Sequence, residues 1–201
     1  HHGRMRVQQI GHLRKLFGED VILAHRLLKN TLPDRSDFLF TDALAARSPA
    51  AKERAEAVQV YVDLIRSYHA LGGSLLVEES VPLTWLTNEP DAEGTLDAAV
   101  LREDPELIVV DAKYGRGQEV EVVGNRQTMI YAACLLEKHQ LWEEYTTVRL
   151  VICQPRAGGT KEHVITIGDL KAFCLEVKKA AIRVDAEPEV LVPSVKACRW
   201  C

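Results

Sequence analysis

Several features are missing from this chain. No run of about 18 or more uncharged apolar residues occurs among its 201 positions, which excludes a membrane-spanning helix. The first thirty residues carry charges throughout and lack an apolar stretch ending in small residues, so no secretory leader is expected. There is no G-x-x-x-x-G-K-[ST] loop to cradle a nucleotide phosphate, no internal repeat and no low-complexity tract. An excess of basic charge is also absent: the formal net charge is −4, which gives no global signal for nucleic acid but does not rule out a local one. Cysteines number five, an odd count, and Cys134, Cys153 and Cys174 sit in apolar segments. That usage fits buried thiols in a reducing, cytoplasmic setting better than a disulfide framework.

What is present is a chain with 47% hydrophobic residues, enough to build a core. A basic stretch (Arg4, Arg6, Arg14, Lys15) opens it. A helix is expected over Asp20 to Lys29 and a short strand over Asp37 to Thr41. Ser48-Pro49 reads as the start of a long helix running to about Leu71, with Val58, Val60, Tyr61, Leu64, Ile65 and Tyr68 at helical spacing and Gly72-Gly73 as its stop. Strands are expected at 74–80, 95–102 and 107–113, a helix at about 125–138, strands at 147–154 and 163–167, and a last helix capped by Asp169 and reaching about Ile182. This order predicts an α/β fold: a central mixed sheet flanked by helices. Two parts follow, residues 1–48 as an N-terminal helical segment and 49–201 as the core.

Charged residues interrupt the strands where burial makes them expensive. Asp97 lies in "GTLDAAV", and Asp111 and Lys113 close "LIVVDAK" on one strand face, since side chains repeat every two residues. A hairpin through Asp104-Pro105 would bring Asp97 beside Asp111. Two carboxylates can hold Mg²⁺ or Mn²⁺ through oxygen, and a lysine beside them can stabilise charge developing on a phosphate. Glu78, one strand earlier, is placed for a further metal ligand. The alternative is a structural salt bridge from Lys113 to either aspartate. On the next helix Gln127 and Tyr131, at i and i+4, share a face. At the end of the sequence, Cys198 and Cys201 form a C-x-x-C, two of the four ligands that a zinc or iron–sulfur site requires.

From about Ala55 to Cys201 the sequence resembles the PD-(D/E)XK nuclease superfamily, in its RecB-like and lambda-exonuclease-like phage branch. The stretches that carry the resemblance are "RAEAVQVYVD", "LLVEESV", "GTLDAAV", "IVVDAKYGRG", "NRQTMIYA", "VRLVICQPR" and "ACRWC". It implies a restriction-endonuclease-like core and a Mg²⁺- or Mn²⁺-dependent deoxyribonuclease, an exonuclease of a phage recombination module. Asp97 and Asp111 would be metal ligands, with Glu78 and the Ala112 carbonyl assisting. Lys113 would be the catalytic lysine, and Gln127 and Tyr131 would position the site. Arg116 and Arg126 would meet phosphates. DNA is the implied partner, with a recombination or single-strand annealing protein and a homo-oligomer as further implied associations. Leu96 stands where the superfamily's name has Pro. Branch members with an iron–sulfur cluster use one cysteine before the core and three after it. Here Cys198 and Cys201 match two of these, so the implied cluster is incomplete. A folded but inactive scaffold that binds DNA or another partner is the alternative function. His12 and His25 are weak counterparts of the branch's N-terminal histidine.

Residues 1 to about 46 resemble instead the later half of a class III nucleotidyl-cyclase homology domain, through Gly18, Val21, Ala24, Arg26 and Leu27. A half domain cannot close that sheet, so no cyclase activity is expected.

Overall fold

The computed structural model describes residues 6–10, 13–17, 49–186 and 193. The segments β1 (Arg6–Ile10) and β2 (Leu13–Phe17) pair antiparallel, with Ile10 opposite Leu13. The described part of the N-terminal segment is thus a strand pair and not a helix; the sequence reading marked only a basic stretch there. The helix expected over 20–29, the strand over 37–41, His12, His25, Cys198 and Cys201 lie outside the described residues.

Nine elements follow: α1 (Pro49–His69), β3 (Ser74–Pro82), α2 (Thr84–Thr87), β4 (Glu93–Leu101), β5 (Glu106–Ala112), α3 (Arg126–His139), β6 (Thr147–Gln154), β7 (Gly159–Thr166) and α4 (Ile167–Ala186). The strands form one sheet in the order β3-β4-β5-β6-β7. Only β5 and β6 run parallel; the other neighbours are antiparallel. A parallel pair needs a crossover, and α3 lies in that connection. The fold is therefore α/β, with a five-stranded mixed sheet flanked by helices.

Strand β5 shows why it is central. Leu107, Ile108, Val109 and Val110 are all fully buried. Leu107 and Val109 pack with Ala132, Leu135 and Leu136 of α3 and Leu170 of α4, while Ile108 and Val110 pack with Tyr61 and Ile65 of α1. α1 covers one face, and α3 and α4, with Leu86 of the short α2, cover the other. Burying each such aliphatic side chain contributes about 1.5–3 kcal/mol. On α1 the buried face is Ala57, Tyr61, Val62, Ile65 and Tyr68. Val60, counted from its spacing as part of that face, is 48% exposed, and Val62 takes the inward position instead. Gly72 and Gly73 end the helix at φ +99° and +106°, and a Cβ on Gly73 would stand 2.1 Å from the Leu101 carbonyl oxygen. Only glycine fits that close crossing of β4.

Several boundaries differ from expectation, and α4 runs to Ala186 and not to about Ile182. Strand β7 begins at Gly159 and not near His163, because it pairs with β6 along its whole length, from Gln154↔Gly159 to Thr147↔Thr166. At the start of α4, Asp169 lies inside the first turn and Thr166 does the capping. Asp169 N–H donates to Thr166 Oγ1 (3.0 Å), and the Asp169 carboxylate accepts from the Thr166 hydroxyl (2.7 Å) and N–H (3.2 Å), a reciprocal capping box.

Candidate active site

The site lies where β3, β4 and β5 stop behaving as a regular sheet. Leu75 and Val77 of β3 and Ala98 and Val100 of β4 face α1, yet Val81 and Leu96 face the α3/α4 side. Strict alternation would put all six on one face. Both strands therefore change phase, β3 between Val77 and Val81 and β4 between Leu96 and Ala98. Glu78, at φ 56°, lies in the first interval and Asp97 in the second. The register continues across the change, from Val77↔Ala98 to Glu79↔Leu96, so Glu78 stands opposite Asp97. On the other side of β4, the β4–β5 ladder runs Leu101↔Leu107 to Ala98↔Val110. The pairing stops there, one residue short of Asp97 on β4 and of Asp111 on β5. The three carboxylate residues thus lie at neighbouring positions on three adjacent strands.

Asp97 takes over hydrogen bonding where the ladder ends: its Oδ2 accepts the Ala112 N–H at 2.8 Å. Asp111, 3% exposed, follows the fully buried run of β5. Lys113 Nζ lies 2.9 Å from Asp111 Oδ2 and donates a hydrogen bond to Oδ1 at 3.2 Å. Asp111 Oδ2 is buried, with the Lys113 ammonium as its charge partner. Burial pushes the Asp111 carboxyl up to about 6; Lys113 opposes that rise and Asp97 adds to it.

Helix α3 completes the site. Asn125 caps it, its Oδ1 accepting the Thr128 N–H at 3.1 Å, and this fixes the helix start. Gln127 Oε1 then accepts a hydrogen bond from Lys113 Nζ at 2.9 Å, and Gln127 Nε2 donates to the Tyr131 hydroxyl at 3.4 Å. Tyr131 packs closely against β4: a Cβ on Gly94 would meet its ring at 2.7 Å. Asp111, Lys113, Gln127 and Tyr131 form one continuous polar chain.

The arginines are placed differently. Arg126 is exposed at the first position of α3. Arg116 is held by a two-oxygen ion pair to Glu53 of α1. Glu53 also accepts from Arg156 at 3.0 Å, and Arg156 lies over the Tyr114 ring, 4.3 Å from its centre. The Arg116 hydrogen bond is the main cause that holds the Glu53 carboxyl below its usual range. The loop after Lys113 is braced by Gln154, 3% exposed at the end of β6. Its Oε1 accepts the Val120 N–H (2.9 Å) and its Nε2 donates to the carbonyls of Gln118 (3.1 Å) and Gly115 (3.4 Å).

Sequence reasoning missed Tyr61, Glu53, Arg156 and Gln154 as site residues. Tyr61 was read only as an apolar position of α1. It is 2% exposed, and its buried hydroxyl makes no hydrogen bond. Burial is the main cause that pushes its ionisation well above the usual tyrosine range, and Asp97 and Asp111 add to it. The one available signal for Gln154 is a polar residue closing the apolar strand "VRLVICQ".

Among the described residues no three His, Cys, Asp or Glu side chains form a group arranged to hold a metal ion. The donor chemistry still fits a hard divalent cation of the Mg²⁺ kind, which takes one or two carboxylates and fills its other positions with water or phosphate oxygens. Asp97 and Asp111 supply two carboxylates, and both oxygens of Asp111 are shared with the Lys113 ammonium. The three buried cysteines, Cys134, Cys153 and Cys174, are free thiols.

Residues 1–37 match the family described as "Protein of unknown function (DUF2652)". The solved structure titled "Crystal structure of SSO0001" aligns with 90% of this chain and 81% of its own, at 13% identity and a TM-score of 0.37. A family match covers residues 20–201, which include the whole five-stranded sheet and its helices, and the chain belongs to the family described as "Protein of unknown function (DUF2800)".

Proposed function

We propose that this chain is a Mg²⁺- or Mn²⁺-dependent deoxyribonuclease of the PD-(D/E)XK type, acting as a phage-type exonuclease. The observation that carries the reading is the polar chain Asp111–Lys113–Gln127–Tyr131, with Asp97 hydrogen-bonded to the Ala112 N–H beside it. Asp97 and Asp111 would hold the cation, with Glu78 and the Ala112 carbonyl as further donors. When bound, the cation supplies Lewis acidity at a phosphoryl oxygen and acidifies a bound water.

This chain's own residues do the rest. Gln127 fixes the Lys113 ammonium from one side and Asp111 from the other, so the charge is in place before the substrate arrives. Tyr131 supports the Gln127 amide. The Lys113 ammonium then offsets the negative charge that builds on the phosphate. The attacking water releases a proton to solvent as its oxygen bonds to phosphorus and the bond to the departing sugar oxygen breaks; that sugar oxygen takes a proton from solvent.

The Lys113–Asp111 pair is also what a structural salt bridge looks like, and that observation supports a second reading: an inactive scaffold with a nuclease-like fold. One comparison separates the two. Purified protein is incubated with linear DNA in Mn²⁺, in Mg²⁺ and with chelator, and Mn²⁺ binding is followed by calorimetry. Metal-dependent cleavage supports the enzyme; neither cleavage nor Mn²⁺ binding supports the scaffold. The cysteine pair Cys198 and Cys201 lies outside the described residues and takes no part in this reading.

A further inference from the structure

Glu53 holds two guanidiniums that come from distant parts of the chain. Arg116, in the loop after β5, hydrogen-bonds both of its carboxylate oxygens. Arg156, in the turn after β6, donates from Nε to Oε1 at 3.0 Å, so both arginines converge on that oxygen. Arg156 is held in place: its Nη1 donates to the Tyr114 carbonyl at 3.2 Å, and its guanidinium lies over the Tyr114 ring. These bonds use Nε and Nη2 of Arg116 and Nε and Nη1 of Arg156, which leaves Arg116 Nη1 and Arg156 Nη2 uncommitted among the described residues. One carboxylate offsets one of the two positive charges, and the guanidiniums repel each other over the remainder. Ion pairs this exposed add little stability, so the fold alone gives weak reason for a second arginine. A phosphate would satisfy the arrangement more fully, because it carries more oxygens around one centre and guanidiniums grip it in pairs of hydrogen bonds.

The position of the pair bears on which phosphate it would take. Glu53 precedes Ala57 by four residues on α1, so the two share a helix face. Ala57 and Val58 line one cleft together with Lys113, Tyr114 and Pro155. The arginine pair therefore stands beside the cleft that Lys113 also borders, with Tyr114 between them. We infer that Arg116 and Arg156 form a phosphate-binding site that Glu53 fills in the free protein, and that a backbone phosphate of a bound DNA strand replaces Glu53 there. Glu53, 38% exposed, can turn outward into water as the strand arrives. DNA as the source of the phosphate rests on the nuclease reading; the preference of the two arginines for a phosphate does not.

The test uses the full chain without added metal and two probes: inorganic phosphate, followed by ³¹P NMR titration, and a labelled DNA oligonucleotide, followed by anisotropy. Glu53→Gln keeps the shape of the side chain and removes its charge. Glu53→Gln/Arg156→Gln also removes one guanidinium. Glu53→Gln should bind both probes about tenfold more tightly than the wild type, the size expected for removing one competing charge-assisted contact, and the double variant should lose that gain. If the double variant is unfolded by circular dichroism, Glu53→Gln/Arg156→Lys replaces it; it keeps the charge without the planar fork and should lose most of the gain. Phosphate binding no tighter in Glu53→Gln than in the wild type overturns the inference and leaves the triad as a clamp between three segments. Tighter binding of phosphate but not of the oligonucleotide overturns the strand's place in the site. Cleavage is not read in this experiment, so a protein that cuts no DNA would defeat the nuclease reading and leave this test standing.

Discussion

Asp111 carries its charge at neutral pH against its own burial, and Lys113 offsets only part of that cost. Its pKa of about 6 stands above the 3.8 of the unconstrained side chain. Between those values the folded chain holds the proton more firmly than the unfolded one. The stability contributed by the protonated carboxyl is complete below 3.8 and is lost as pH rises through 6. Asp111→Asn, which cannot ionise, should lack this loss. At pH 8 it should be more stable than the wild type by about 1–3 kcal/mol, with the gap closing toward pH 4. Urea unfolding of both proteins at the two pH values measures it; parallel pH profiles would show that the carboxylate is not strained by burial. The same logic applies to any active residue kept for chemistry: the group that destabilises the fold is the one the reaction uses.

At the scale of elements, the loop between β5 and α3 depends on one side chain at the end of β6. Gln154 satisfies one N–H and two carbonyls of that loop from a buried position. Gln154→Ala should cost about 1–3 kcal/mol, because the Val120 N–H loses its acceptor. It should also release Arg116 and Tyr114 from a fixed path. Thermal unfolding and limited proteolysis would show whether cutting concentrates at 114–120; an unchanged loop would argue that the Glu53–Arg116 pair alone holds it. The elements themselves were largely legible in the sequence. β6 was read at its observed limits, and α1 and α3 to within two residues at either end, because long periodic segments declare their faces. Asp97 and Asp111 lie on β4 and β5 as the sequence reading placed them, whereas Lys113, read as closing the strand, follows its end at Ala112. The phase change at Glu78 and Asp97 was not legible, because a left-handed backbone at Glu78 has no residue-type signal such as glycine. Nor could spacing distinguish Tyr61 from Tyr68, since both occupy the buried stripe of α1. Their difference lies in what the sheet brings opposite them: Tyr68 donates to Glu162 at 2.6 Å, while Tyr61 meets no acceptor.

For the whole molecule, a net charge of −4 means that DNA, the partner proposed above, would have to be met by local positive groups. Of the two arginines that the sequence offered for phosphates, Arg116 is already engaged by Glu53, and Arg126 is exposed at the N-terminus of α3 beside Gln127. DNA binding should weaken with salt, and Arg126→Ala should reduce the slope of log affinity against log salt by about one. Glu53→Gln should act in the opposite sense, freeing Arg116 and strengthening binding at low salt. Fluorescence anisotropy with labelled DNA across a salt series reads both, and unchanged slopes would remove these residues from the phosphate path.

The account turns on Asp111 and Lys113 acting as chemistry and not as a structural pair. The most direct measurement is DNA cleavage in Mn²⁺ by the wild type, Asp111→Asn and Lys113→Ala, each first checked to be folded. The expected result is metal-dependent cleavage by the wild type and a loss of at least about a hundredfold in each variant, with Asp111→Asn the more stable protein. Cleavage by either variant at the wild-type rate would contradict the account.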